Sequence, residues 1–251
     1  MKIAHIIPGS GGSFYCGNCM RDSKYIRALK ELGHQVIKVP LYLPIFDDAH
    51  DLDEVPVFYG AVNLYLKQQF PIFRHMPAFV EHALDSKGVL EMAARKAGST
   101  RAKGLEEMTI SMLLGEDGNQ KEELERLVDW LANEVKPDVV HLSNALLLGL
   151  AHRIKERVKA KVVCSLQDED VWVDAMDDQY RQKVWNLMSE RGRDVDMFIS
   201  VSDYFGKEIH DRMTIPTEKM TTVHLGVDLS EYTSKPVAEK GPMIGYLSRT
   251  C

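Results

Sequence analysis

The chain of 251 residues, 45% hydrophobic and 27% charged, is long enough for one large α/β domain or two small ones and has an ordinary soluble composition. Its formal net charge of −6 argues against a nucleic-acid polyanion as the main partner, and no apolar run approaches the roughly 18 residues of a membrane helix. Cys16, Cys19, Cys164 and Cys251 make no disulfide framework, and the short apolar start is no secretory signal, so a cytoplasmic location is expected.

Short β-branched runs alternate with helical patterns, the signature of βαβ units and a mainly parallel sheet. The spacing predicts a buried first strand at Ile3–Ile7, a turn holding Gly9, Gly11 and Gly12, and a helix starting near Cys16 to Asp22. Strands follow at Val36–Val39 and Val57–Tyr65, and the stretch from Leu41 to Gly118 reads as an elaboration of the domain, helical around 66–118. Leu124, Leu127, Val128, Leu131, Ala132 and Val135 recur at helical steps until Pro137 stops them, and a strand is expected at Val139–Leu142. A second helix carries Leu146, Leu147, Leu150, Ala151, Ile154 and Val158, followed by a strand at Lys161–Ser165. A third carries Tyr180, Val184, Leu187 and Met188 ahead of a strand at Met197–Val201. Ser202 is placed to cap a fourth helix that buries Phe205, Ile209 and Met213, and Thr221–His224 forms another strand. Residues 1–232 then make one domain, 233–242 a polar linker, and 243–251 the first strand of a further domain that the chain does not contain.

Three segments could carry chemistry. The glycine turn and the helix start behind it suit a phosphate or a polar sugar, although Pro8-Gly9-Ser10-Gly11-Gly12 is not the dinucleotide pattern and a bare turn is the competing reading. Cys16-Gly17-Asn18-Cys19 reads as structural thiols, as a redox pair, or as half of a metal site that lacks its partner pair. Gln167-Asp168-Glu169-Asp170 follows a strand, where open α/β sheets bind ligands, and could accept sugar hydroxyls or supply a base; a solvated acidic loop weighs equally. Arg95, Lys96, Arg101 and Lys103 read as a solvated helix surface or as a weak peripheral membrane contact. His5 and His141 read as core histidines more than as ligands.

Several segments in order resemble the glycosyltransferase family 4-like N-terminal domain of GT-B enzymes. They are Lys2 to Ile7 with Gly11-Gly12, the helix-to-strand join Ala28 to Val36, Pro137-Asp138-Val139-Val140-His141, Asp196 to Ser202, Val223-His224-Leu225-Gly226-Val227-Asp228 and Ile244 to Arg249. The stretch Phe14 to Asp22 is similar to a subgroup of bacterial members. The resemblance implies a Rossmann-like three-layer α/β/α domain, the N-terminal half of GT-B, facing a missing C-terminal donor domain. It implies retaining transfer from a nucleotide-sugar of UDP or GDP type to a glycan, lipid or small-molecule acceptor, with no metal and no cofactor bound by this chain. By position, Gly11, Gly12, Asn18, Asn144, Gln167, Asp168 and Glu169 would meet the acceptor, and Gly12, Gly226 and Arg249 the donor. Gln167 stands where many members have a histidine, which leaves the catalytic residue unassigned, and Leu225 replaces an asparagine. Alone, the chain is expected to bind donor weakly and transfer no sugar. A non-catalytic carbohydrate- or nucleotide-binding module and a CxxC redox protein are the alternatives.

Overall fold

In the computed structural model, the structure describes residues 1–8, 17–41, 58, 104–226 and 229. The elements run β1 (Lys2–Ile7), α1 (Gly17–Glu31), β2 (Gln35–Pro40), α2 (Glu106–Leu114) and α3 (Lys121–Trp130), which a wider turn extends through Leu131–Val135. After β3 (Val139–Leu142), the turns Ala145–Leu150, Ala151–Arg153 and Ile154–Val158 run on as one helix, α4. Then come β4 (Lys161–Leu166), α5 (Glu169–Asp174), α6 (Asp178–Arg191), β5 (Met197–Ser200), α7 (Asp203–Met213) and β6 (Met220–Thr222).

The six strands form one sheet in the order β2-β1-β3-β4-β5-β6, and every neighbouring pair is parallel. All carboxyl ends therefore lie on one edge, as a Rossmann-like α/β fold requires. Strand side chains alternate between faces. Ala4, Ile6, Val140, Leu142, Val162, Cys164, Leu166 and Phe198 enter the large core with α2, α3, α4, α6 and α7. Ile3, Val36 and Val139 face the other way, against Ile26 and Leu29 of α1. Helices thus cover both faces, the three-layer arrangement expected.

The predicted periodicities explain most elements. Leu124, Leu127, Val128, Leu131 and Val135 are all buried, each contributing roughly 1.5–3 kcal/mol of transfer free energy. Ser202 caps α7 through its side-chain oxygen, which accepts from Phe205 N at 3.1 Å. Two strands stop short of their predicted ends. Val201 falls outside β5, and β6 stops at Thr222 rather than His224, because Ser202 has turned β5 into α7. Val223 N still bonds Ser200 O at 2.9 Å, and no further strand residue faces His224. The acidic run expected in a loop opens a short helix, α5. The strand at Val57–Tyr65, apart from Phe58, the elaboration through residue 103, the linker and the strand at 243–251 lie outside the described residues, as do the cationic group at 95–103 and Asp228.

Carboxylates bond the amino edge. Asp138, just before β3, accepts from Lys2 N at 2.7 Å, and Asp196, just before β5, accepts from Val162 N at 2.9 Å, each receiving the amide of the neighbouring strand. These bonds are the structural role of two of the motif aspartates. At three helix ends, Lys136, Lys159 and Thr214 adopt left-handed backbone with φ of 51°, 60° and 54°.

α4 lies backbone to backbone on α2. A Cβ added at Gly149 would stand 2.0 Å from Met112 O, whereas one at Gly226 would meet nothing within 4 Å among the described residues. Gly149→Ala should therefore lower the urea-unfolding stability by about 1–3 kcal/mol or more through forced separation of the helices. Gly226→Ala should leave the midpoint nearly unchanged; equal effects would contradict this packing.

Candidate functional site

The strand order reverses at β1: the chain passes from β1 to β2 on one side, then returns to β3 on the other. Ligands of open α/β sheets sit outside the carboxyl ends of the strands at such a point. Here these are the ends of β1 and β3, with β4 alongside.

Three separately encoded segments meet at this edge. Arg21, one turn beyond Asn18 in α1, donates from Nη1 to Gln167 Oε1, and from Nη2 to the carbonyl of Ser143 at 3.1 Å. Gln167 Nε2 donates to the same carbonyl at 3.3 Å. Arg21 is itself held by Asp22, with Nε 3.1 Å and Nη2 2.7 Å from Oδ1.

Beneath lies a buried polar layer. His5 and His141 are paired in register on β1 and β3, their ring centres 4.3 Å apart and edge to face. His5 Nε2 stands 3.6 Å from Asp22 Oδ1, and His141 Nε2 bonds Ser165 Oγ at 2.8 Å. Both are core histidines, as expected, but among the described residues only His141 has a hydrogen-bond partner; the ring nitrogens of His5, Asp22 Oδ2 and Ser143 Oγ have none there. Burial alone would raise the Asp22 carboxyl, but His5 and Arg21 outweigh it and hold it below the usual range. Burial, reinforced by His5, pushes His141 well below the ordinary histidine value, so it stays neutral.

Glu169 is not a solvated carboxylate. It is 1% exposed, and its two oxygens accept from Ala145 N at 2.9 Å and Gln167 N at 2.6 Å, joining the exits of β3 and β4. Burial pushes its carboxyl up to about 8, against the two amides that favour the charged form. Burial and the nearby Glu169 charge likewise push the Cys164 thiol up. Asp168 is exposed in left-handed backbone with φ of 56°, and Asp170 is half-buried. Asn144 is half-buried and caps α4, its Oδ1 accepting from Leu146 N at 3.1 Å. Among the described residues no group of three His, Cys, Asp or Glu is arranged to hold a metal ion.

The structure thus brings Asn18, Asn144, Gln167, Asp168 and Glu169 to one edge, while exposed Gly226 follows the edge strand β6. Gly11, Gly12, Cys16 and Arg249 lie outside the described residues, as does the Cys19 side chain. Arg21, Asp22, Ser143 and Ser165 escaped sequence reasoning. One signal was present: Asp22 falls in the helical stripe of Ile26 and Leu29, and a carboxylate in an apolar stripe needs a buried partner.

Residues 116–231, from the turn after α2 to beyond β6, match the family model Glycosyltransferase Family 4. That match falls within the second half of the β-sheet domain and spans just under half of the chain. The matched part contains Asn144, Gln167, Asp168, Glu169 and Gly226, whereas α1 with Arg21 and Asp22 lies before it. No curated protein matches the chain. Solved structures do, among them the apo form of the lipopolysaccharide outer core galactosyltransferase WaaB, 13% identical with a TM-score of 0.48. That alignment covers 92% of this chain and 47% of the other, so the chain spans about half the length of that protein. Among the described residues, no helix is long and apolar enough to cross a membrane.

The buried acids and bases set opposite pH slopes. Glu169 titrates near 8 folded and near its ordinary 4.5 unfolded, so its contribution is complete below 4.5 and is lost as pH rises toward 8. His141 is depressed, so its contribution is present above 6.5 and lost as pH falls below it. Just below pH 6.5 the two slopes offset each other, so stability should be nearly level there and fall from pH 6.5 toward pH 8 by at most about 1.4 kcal/mol per pH unit. Glu169→Gln should flatten the fall between pH 6.5 and 8 while lowering stability at pH 6.5 by about 1–3 kcal/mol, since its NH2 cannot accept an amide. Thermal melts across this range check both; an unchanged alkaline slope in Glu169→Gln would refute the assignment.

Proposed function

We propose that this chain is the acceptor-side domain of a retaining, cytoplasmic glycosyltransferase. A second Rossmann-like domain beyond it would supply a nucleotide-sugar of UDP or GDP type, and the acceptor would be a glycan, a lipid or a small metabolite. The observation that carries the reading is the convergence of α1, the β3 exit and the β4 exit on Gln167 and the Ser143 carbonyl at the β1/β3 reversal. That is where an α/β domain of this topology receives a ligand, and the family match covers two of the three segments.

In this reading Asn18, Asn144, Gln167 and Asp168 meet the acceptor, with the Gly11-Gly12 turn lining the cleft toward the donor phosphates. Glu169 shapes the rim, its oxygens being taken by backbone amides. Gly226 and Arg249 belong to the donor side, where the positive charge of Arg249 would stabilise a diphosphate leaving group. Gln167 does not titrate, so it orients an acceptor oxygen rather than taking its proton. The donor domain brings most of the sugar-nucleotide contacts, so the chain by itself transfers little.

Nucleoside-diphosphate release from a panel of UDP- and GDP-hexoses tests this with the full-length protein beside residues 1–251. The full-length protein should release nucleotide at least about a hundredfold faster, and Gln167→Ala or Asn144→Ala in it should cut acceptor-stimulated release about tenfold or more. Equal release by the two proteins, or none from either, would overturn the reading; binding without any release would favour a non-catalytic module.

A further inference from the structure

Gln167 is more tightly specified than its surroundings require for packing. An amide side chain can be seated in two ways that differ by exchanging oxygen and nitrogen, and its partners decide between them. A guanidinium has donors only and a backbone carbonyl accepts only. Arg21 therefore takes Gln167 Oε1, and the Ser143 carbonyl takes Gln167 Nε2, with the 3.1 Å bond from Arg21 to the same carbonyl closing the triangle. Exchanging the amide ends would set N–H against N–H and oxygen against oxygen, turning two bonds into two repulsions.

Arg21 is held in turn. Asp22, fully buried, takes its Nε and one Nη2 proton, Tyr25 places its ring 5.4 Å from the guanidinium carbon, and His5 stands behind Asp22 at 3.6 Å. The Gln167 backbone is fixed independently, its N–H bonded to Glu169 at 2.6 Å. With Oε1 and one Nε2 proton committed, the second Nε2 proton has no acceptor among the described residues, and Gln167, at 7% exposed, just reaches the surface.

We propose that Arg21 is a positioning residue that fixes the Gln167 amide so that its nitrogen is the end offered to a ligand oxygen at the strand-order reversal. The site then presents a hydrogen-bond donor that no pH change can invert, and it selects a hydroxyl, carbonyl or phosphate oxygen over a ligand N–H. The proposal rests on the acceptor-site reading above for the ligand's identity, and on the Arg21–Gln167–Ser143 triangle for the orientation.

The test uses the full-length protein isotope-labelled on glutamine, with the Gln167 amide signals identified by their loss in Gln167→Leu. In the wild type one Nε2 proton should exchange slowly with solvent and its partner much faster. Arg21→Met should release the amide, so that both protons exchange at the fast rate. Arg21→Lys, which still donates to Oε1, should retain part of the difference. In turnover of the same UDP- and GDP-hexose panel, Arg21→Met should lower acceptor-dependent kcat about tenfold with donor KM little changed, and Arg21→Lys should recover part of it. Two equally fast protons in the wild type, or signals that Arg21→Met leaves unchanged in a folded protein, would overturn the proposal. The expected exchange pattern without turnover of any nucleotide-sugar would instead sink the transferase reading and leave the hold of Arg21 on Gln167 standing.

Discussion

Where β3 and β4 end, the amides of Ala145 and Gln167 leave the ladder in a buried setting and must find an acceptor. Both find it in the one carboxyl group of Glu169. An unpaired buried amide costs about 1–3 kcal/mol, so this double bond decides where two loops sit. With the two exits joined, the Ser143 carbonyl and the Gln167 amide come within reach of each other, and Arg21 can bridge them from α1. The order of dependence runs from an interior carboxyl to two loops, and from those loops to the polar edge where a ligand would be read.

A second constraint acts from below. His5, His141, Asp22 and Ser165 fill the space between the sheet and the first turns of α1, where Ile3, Val139, Ile26 and Leu29 do so one layer toward the amino edge. Apolar side chains would pack that space with less penalty. The polar set instead orients Arg21, because Asp22 needs a cation to remain ionised where burial opposes it. Packing energy near the amino edge gives way to directional bonds near the carboxyl edge within a single helix.

Much of this architecture was legible in the residues. Val139–Leu142 reads as a strand from its β-branched pair and the proline before it, and that is its extent in the structure. Ser202 reads as a cap because a serine precedes an apolar helical stripe, and it is one. The carboxyl-edge placement of Asn144 and Gln167 follows once the strands are known to be parallel. The burial of Glu169 was not legible, because a run of Asp168, Glu169 and Asp170 has the composition of a solvated loop. Only the fold reveals that two amides converge on the middle residue. Arg21 was missed for a related reason: its partner lies 146 residues away, and local spacing carries no trace of such a pairing.

The left-handed residues Lys136, Lys159 and Thr214 mark reserve in the design. Each closes a helix with an L side chain in a conformation that glycine adopts without strain. The penalty is about 1 kcal/mol per position, partly offset by the stiffer unfolded chain that a side chain confers. All three lie on the described framework away from the carboxyl edge of the sheet, so the fold tolerates imperfect joints there. A protein engineer seeking a hardier scaffold would find room for improvement at those three hinges of the backbone, with the polar carboxyl edge left as it stands.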